Sequence, residues 1–345
     1  MNLSYRTRQR ISRLLKGTLI ALVIAAILWL CWIVWVGRYV VYTKDGVRLD
    51  FSLSPTFPSG QVAGLPSRGP TVPIVYDEPQ ESLPLPPTAE KTGISGYYVD
   101  PAQLQSDIPG LLEQLKNLPK GTAVLLDVKN IKGHFYYTSS TGKESKDVDN
   151  TQMDLLLDWL LKSDLYVIGR IPAFQDYEYG LHHVDDGLPK KGGNGSLWLD
   201  KTNDNNTYWL NPASDGALDY IMQVTMELRL MGFDEVVYTD FRFPDTNEIQ
   251  FDGDKAQAIA EAAATLAGTC STDRFWVSFQ SSDPSFPLPT GSSRLYLENI
   301  AAEKINQIVE QTALSNPQIH LLFLTTTHDN RFEKYCYLRS LDLAM

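Results

Sequence analysis

The sequence predicts an α/β fold, a parallel (β/α)8 barrel of the TIM-like kind with an incomplete last unit. Three observations predict it. Short apolar runs alternate with helical spacings from residue 93 onward, seven of those runs read clearly as strands with an eighth ambiguous, and no Gly-rich phosphate turn follows the first run. The last point weighs against a doubly wound sheet, which would use such a turn.

Taken in order, ISGYYVD (94–100) is strand-like and PAQLQSDIPGLLEQLKNL has helical spacing. GTAVLLDVKN (121–130) is a continuous apolar run, the pattern of a strand buried on both faces. TQMDLLLDWLLKSD (151–164) places apolar residues at helical intervals and feeds directly into LYVIGRIPAF (165–174), a second buried run. DGALDYIMQVTMELRLMGF (215–233) reads as a helix with Gly232 at its C-terminal cap, leading into DEVVYTDFRFP. An Ala-rich helix ending at Gly268 precedes RFWVSFQ (274–280); SRLYLENI (293–300), a helix near 301–314 and QIHLLFLTTT (318–327) continue the rhythm. RFEKYCYLRSL (331–341) fits a strand or a helix.

The N-terminal quarter has a different character. Residues 17–37, GTLIALVIAAILWLCWIVWVG, are 21 residues without a charge, long enough to cross about 30 Å of hydrocarbon as a helix. Trp29, Trp32 and Trp35 lie toward one end, and Arg6, Arg8, Arg10, Arg13 and Lys16 precede the run. The positive-inside bias therefore assigns 1–16 to the cytoplasm as a basic tail and makes 17–37 an uncleaved single-pass anchor in the cell membrane. Residues 38–53 read as a β-hairpin around Asp45-Gly46. Residues 54–92 hold nine prolines with few apolar residues between them, the composition of an extended stalk. The working domain is then 93–345, outside the cytoplasm.

Residues 49–345 carry 22 Lys/Arg against 40 Asp/Glu, a net of −18. Such a surface argues against nucleic acid or anionic lipid as ligand and is compatible with a neutral or cationic polymer. Spacing does not decide whether Cys270 and Cys336 pair.

Function in a barrel gathers at the C-terminal strand ends. Those ends supply Tyr98 and Asp100, Asp127 and Lys129, Arg170 and Asp176, Tyr238, Asp240 and Arg242, Gln280, Glu298 and Thr325, the makings of a polar pocket. Lys129 and Arg170 equally fit a structural network neutralising Asp127 and Asp240. Asp100, before Pro101, fits a helix cap, and Glu298 fits a capping or dipole role better than catalysis. Tyr136, Tyr177, Trp198 and Trp209 are candidates for stacking on sugar rings or for ordinary packing. His182, His183 and Asp185 offer a metal-assisted alternative, but adjacent histidines point apart in an extended chain; no metal or other cofactor is expected.

VLLDVKNIKGHFYYTS, LYVIGRIPAFQD, YWLNPAS and GFDEVVYTDFRFPD stand in this order over roughly residues 94–250, and together they resemble the DUF4015 family of glycoside-hydrolase-like barrels. The resemblance implies a TIM barrel distantly similar to amylase-like carbohydrate enzymes, usually at the bacterial cell surface. It implies that Asp240 corresponds to the nucleophile's strand position, with Arg242 expected to keep its carboxyl ionised. Glycoside hydrolysis needs two carboxyl groups, and amylase-like barrels carry a Glu at the fifth strand end, where this chain has FQSSD. Asp127 is the best substitute, with Asp176 and Glu298 in reserve. The expected partner is a polysaccharide or peptidoglycan-type glycan, bound by Tyr98, Lys129, Arg170, Asp176, Trp209, Tyr238 and Arg242; the alternative is a barrel that binds glycan, or scaffolds an envelope assembly, without cutting.

Overall fold

The computed structural model describes residues 93–201 and 206–341, together with the backbone of two strands near the N-terminus, Val40–Thr43 and Gly46–Leu49. Those two strands pair antiparallel, Thr43 opposite Gly46, as the Asp45-Gly46 turn signal predicts. The expected basic tail, membrane anchor and Pro-rich stalk lie outside the described residues. Among the described residues, no helix is long and apolar enough to cross a membrane.

Eight parallel strands close into a barrel in sequence order. They are β1 (Ser95–Tyr98), β2 (Ala123–Asp127), β3 (Tyr166–Pro172), β4 (Glu235–Thr239), β5 (Trp276–Gln280), β6 (Leu295–Glu298), β7 (Leu321–Thr325) and β8 (Cys336–Ser340). The ambiguous final segment is thus a strand, and it pairs with both β7 and β1 to seal the ring. It must be one, because an unpaired edge at β1 and β7 would leave a row of backbone donors and acceptors without partners.

Helices cover the outside: α1 (Pro101–Ser106), α2 (Ile108–Lys116), α3 (Asn150–Leu160), α4 (Tyr177–His182), α5 (Asp215–Met231), α6 (Lys255–Cys270), α7 (Ile305–Thr312) and α8 (Pro317–His320). Asp107 divides the first expected helix in two, leaving helical geometry to accept a hydrogen bond from the Gly110 amide and cap α2. Asp100 caps α1 through the Ala102 amide, with Gln103 reaching back to the Asp100 amide. Gly232 ends α5 at φ +108°, the left-handed geometry that favours glycine there. The Ala-rich helix α6 runs on past Gly268 to Cys270. Two connections lack an α-helix: residues 281–294 join β5 to β6 without one, and a single 3-10 turn, Phe332–Lys334, leads into β8. A long excursion between α4 and α5 carries an antiparallel pair, Leu199–Asp200 with Thr207–Tyr208.

Strand side chains alternate between the barrel interior and the helix shell. Leu125, Ile168, Val237, Tyr296, Leu322, Leu338 and Cys336 fill the interior, while Val124, Val167, Val236, Tyr238 and Phe279 face the helices. Cys336 therefore sits inside the barrel and Cys270 in the shell, and both thiols are free.

The lower interior is charged. Glu235, fully buried at the start of β4, pairs with Arg294 just before β6. The carboxylate also accepts from the Ser278, Tyr296 and Tyr166 hydroxyls, the last two at 2.9 and 3.0 Å. Arg294 donates to the Ile319 carbonyl at 3.0 Å and lies 3.9 Å above the Trp276 ring. Each oxygen of the Glu235 carboxylate accepts two hydrogen bonds and Arg294 donates through Nε and Nη1, the kind of bonding under which a buried pair is tolerated. Glu235→Gln should then leave Arg294 uncompensated and lower the unfolding free energy by about 3–5 kcal/mol. Chemical denaturation of the two proteins measures this, and a loss below ~1 kcal/mol would contradict it.

Candidate functional site

The inward parity that puts Leu125, Ile168 and Val237 in the core places Asp127, Arg170 and Thr239 in the layer above them, at the C-terminal mouth. Gln280, Glu298, Tyr98 and Ser340 join the same layer from β5, β6, β1 and β8.

Arg170 is the centre of this layer. Its Nε and Nη2 donate to the two carboxylate oxygens of Asp127, the second at 3.1 Å, and its Nη1 donates to Glu298 Oε1 at 3.3 Å. One guanidinium thus bridges β2 and β6, and the fork geometry suits two carboxylates at once. Burial works against its charge, but Asp127 and Glu298 more than offset this and hold Arg170 protonated. Glu298 is not the cap that its position before Asn299 suggests; the next helical turn starts at Ala302 without a side-chain cap. Burial raises the Tyr98 phenol, against the pull of the Ser340 hydroxyl.

Asp240 follows β4 directly and adopts φ +50°, a left-handed conformation uncommon outside glycine though tolerated by Asp. Its Oδ2 accepts from the Thr239 hydroxyl at 3.2 Å. Arg242 does favour the ionised carboxyl, as its position suggests, but burial outweighs it. Burial raises the Asp240 carboxyl above the ordinary aspartate range, although Arg242, Thr239, Lys129 and Arg170 all favour the charge. No ion pair joins Arg242 to Asp240 among the described residues. Instead Arg242 lies over the Trp209 ring, 5.0 Å from its centroid, and donates to the Phe243 carbonyl at 3.2 Å.

Three expected binding residues have other work. Lys129 Nζ contacts Asp176 Oδ2 at 2.7 Å, and both side chains are sealed from solvent. Asp176 caps α4 through the Tyr179 amide and accepts from the Tyr220 hydroxyl at 2.9 Å. Gly133, at φ +82°, closes over it, since a Cβ there would fall 2.1 Å from Asp176 Oδ1. A buried, fully bonded pair cannot meet a polymer, so Lys129 and Asp176 hold the β2 and β3 loops in place. Tyr238 is fully buried in the shell, its hydroxyl bonded to Thr225 at 2.6 Å. Tyr136 is also buried, and Tyr177 stacks on Tyr208 at 5.3 Å. His182 turns to Glu178 and His183 stacks on Tyr179, so the two histidines take separate partners. No group of three metal-ligating side chains occurs among the described residues.

Beside the mouth runs a groove of about 960 Å³, lined by Gln175, Trp198, Asp200, Trp209, Arg242 and Glu248 among others. Asp127, Asp240 and Glu298 do not line it; Arg242, two residues beyond Asp240, does.

Residues 103–270 match the model of DUF4015. That family is described as "putative glycosyl hydrolase domain", and the DUF4015 match spans α1 through α6, including Asp127, Arg170, Asp240 and Arg242 but not Glu298. No curated protein matches the chain. Among solved structures, a hypothetical protein from Ruminiclostridium thermocellum ATCC 27405 is 22% identical at a TM-score of 0.44, over 53% of this chain and 96% of that one. The glycoside hydrolase domain of PelA from Pseudomonas aeruginosa is 11% identical at 0.43, over 73% and 96%. An exo-β-N-acetylglucosaminidase from Vibrio harveyi is 7% identical at 0.44; the alignment covers 68% of this chain and 41% of that enzyme.

The raised Asp240 carboxyl has a thermodynamic consequence. Between the ordinary value of 3.8 and its raised folded-state value, the folded form holds a proton that the unfolded chain has already lost. The group's contribution to stability is therefore greatest below pH 3.8 and falls as pH rises through the folded-state value. Asp240→Asn should be more stable than the wild type at pH 7, with the difference vanishing toward pH 3, as read by denaturation at each pH. A destabilised Asn variant at pH 7 would contradict the assignment.

Proposed function

We propose that the mouth of this barrel acts on carbohydrate, as a membrane-anchored extracytoplasmic glycoside hydrolase for a cell-wall or secreted polysaccharide. The observation that carries the reading is the gathering of Asp127, Glu298 and Asp240 at the strand ends, under the charge of Arg170. The DUF4015 match supports it from the sequence side.

The two kinds of carboxyl divide the work that glycoside hydrolysis requires. Asp240, whose carboxyl burial raises, is the general acid: in its protonated form it gives its proton to the glycosidic oxygen as the bond to the anomeric carbon breaks. Asp127, paired with Arg170, is the carboxylate opposite, either taking a proton from attacking water or bonding the anomeric carbon itself. This reverses the roles expected from strand position, and it provides the acid that FQSSD lacks.

A second reading has its own observation. Arg170 occupies Asp127 and Glu298 together, and an ion-paired carboxylate is a poor nucleophile until the substrate loosens the pair. A barrel that binds glycan without cutting it would show this same arrangement.

Incubation of the full-length protein with peptidoglycan and with secreted polysaccharides separates the two. Hydrolysis predicts sugar release that falls by roughly 10²–10⁴-fold in Asp240→Asn while glycan pull-down persists. Binding without release from the wild type would leave the non-catalytic barrel, and neither binding nor release would remove the carbohydrate reading.

A further inference from the structure

The polar layer at the barrel mouth is largely bonded within itself. Arg170 donates to Asp127 and Glu298, the Thr239 hydroxyl donates to Asp240, and the Tyr98 phenol interacts with the Ser340 hydroxyl. Gln280, the last residue of β5, belongs to the same layer, because Ser278 two residues earlier points inward to Glu235. Its Oε1 is hidden from solvent, yet it meets no hydrogen-bond donor among the described residues.

A buried acceptor without a donor has lost its hydration without compensation, and native folds keep few such atoms. A methionine at this position would span the same length with no amide to desolvate. The surroundings indicate where a donor would come from. β5 lies between β4 and β6, with Phe279 opposite Tyr238 and Gln280 opposite Tyr296. In that register Gln280 comes beside Thr239, the residue before Asp240, and two residues past Tyr296 stands Glu298. Sugar hydroxyls are donors, and a glycan seated at the mouth brings them to this layer. A neutral amide oxygen accepts from them without competing for the guanidinium of Arg170, as a further carboxylate there would.

We infer that Gln280 is a substrate-binding residue of the mouth, its Oε1 accepting a hydrogen bond from a hydroxyl of the glycan unit seated beside Asp240. The inference rests on the carbohydrate reading and deepens it. A unit without a hydroxyl at that point would leave the buried amide oxygen unanswered, so Gln280 selects among sugars as well as holding one. It also predicts an uncommon pairing of effects. Removing the amide takes away an unanswered polar atom from the free protein and a hydrogen bond from the complex, so stability and function should move apart.

The test compares full-length wild type with Gln280→Met in detergent, using peptidoglycan, cellulose and alginate as probes and chemical denaturation as the second measurement. On whichever polymer the wild type cuts, Gln280→Met should lower kcat/KM by roughly tenfold or more, and on a polymer that is bound without cutting the same loss is read in affinity. Its denaturation midpoint should equal or exceed that of the wild type. Undiminished release and binding in Gln280→Met would overturn the inference. A lowered midpoint would overturn it as well, since the amide would then be bonded within the free protein. In both cases wild-type activity on the polymer leaves the carbohydrate reading standing; a wild type that neither cuts nor binds any of the three defeats both.

Discussion

Deep in the barrel, the carboxylate of Glu235 and the guanidinium of Arg294 hold together strands that are far apart in sequence. Tyr166 on β3, Glu235 on β4, Ser278 on β5 and Tyr296 on β6 all end on one carboxylate, and Arg294 adds the Ile319 carbonyl just before β7. A slip of one residue in any of these strands would turn its contributor to the other face and strand a buried charge. The cluster therefore specifies register across half the ring, whatever its net contribution to stability.

Register fixed low in the barrel determines what appears at the top. Glu235, Val237 and Thr239 share one face of β4, and Arg170 lies opposite Val237 in the neighbouring ladder. Asp127 in turn lies opposite Arg170. A single parity thus runs from an ion pair that is sealed to one that is part-exposed at the mouth. The lower pair excludes everything; the upper pair, with Arg170 and Asp127 each about one-sixth exposed, is within reach of a ligand. Backbone geometry marks the same rim: Asp240 and Asn299, just beyond β4 and just beyond β6, both hold positive φ. Such conformations carry a cost of order 1 kcal/mol and persist where surrounding structure enforces them.

Much of this could be read from the chain. The apolar runs are broken at Asp127, Arg170 and Asp240 because the inward face of the barrel turns polar at its mouth, and a one-dimensional pattern records that change directly. The alternation between Val237 and Tyr238 also stood in the sequence, and it assigns Tyr238 to the shell. Glu298 could not be read so easily, since its meaning depends on ring closure bringing β6 across from β3. Lys129 and Asp176 look like rim residues by position, yet the loops fold back and bury them against each other; only tertiary packing distinguishes a rim charge from a sealed one. Glu235 left a faint signal, an acid opening the apolar run EVVY, whose partner lies 59 residues later. Neither residue alone identifies the other.

The two buried thiols set a different condition on the fold. Cys336 lies within the barrel and Cys270 in the shell, where burial pushes the Cys270 thiol up to about 11. With the sheet between them and so little thiolate available, neither is suited to exchange or oxidation. No covalent clasp closes the described domain, and packing with buried polar clusters does all the holding. Its architecture is accordingly indifferent to redox potential, and the same barrel would form in a reducing compartment or an oxidising one.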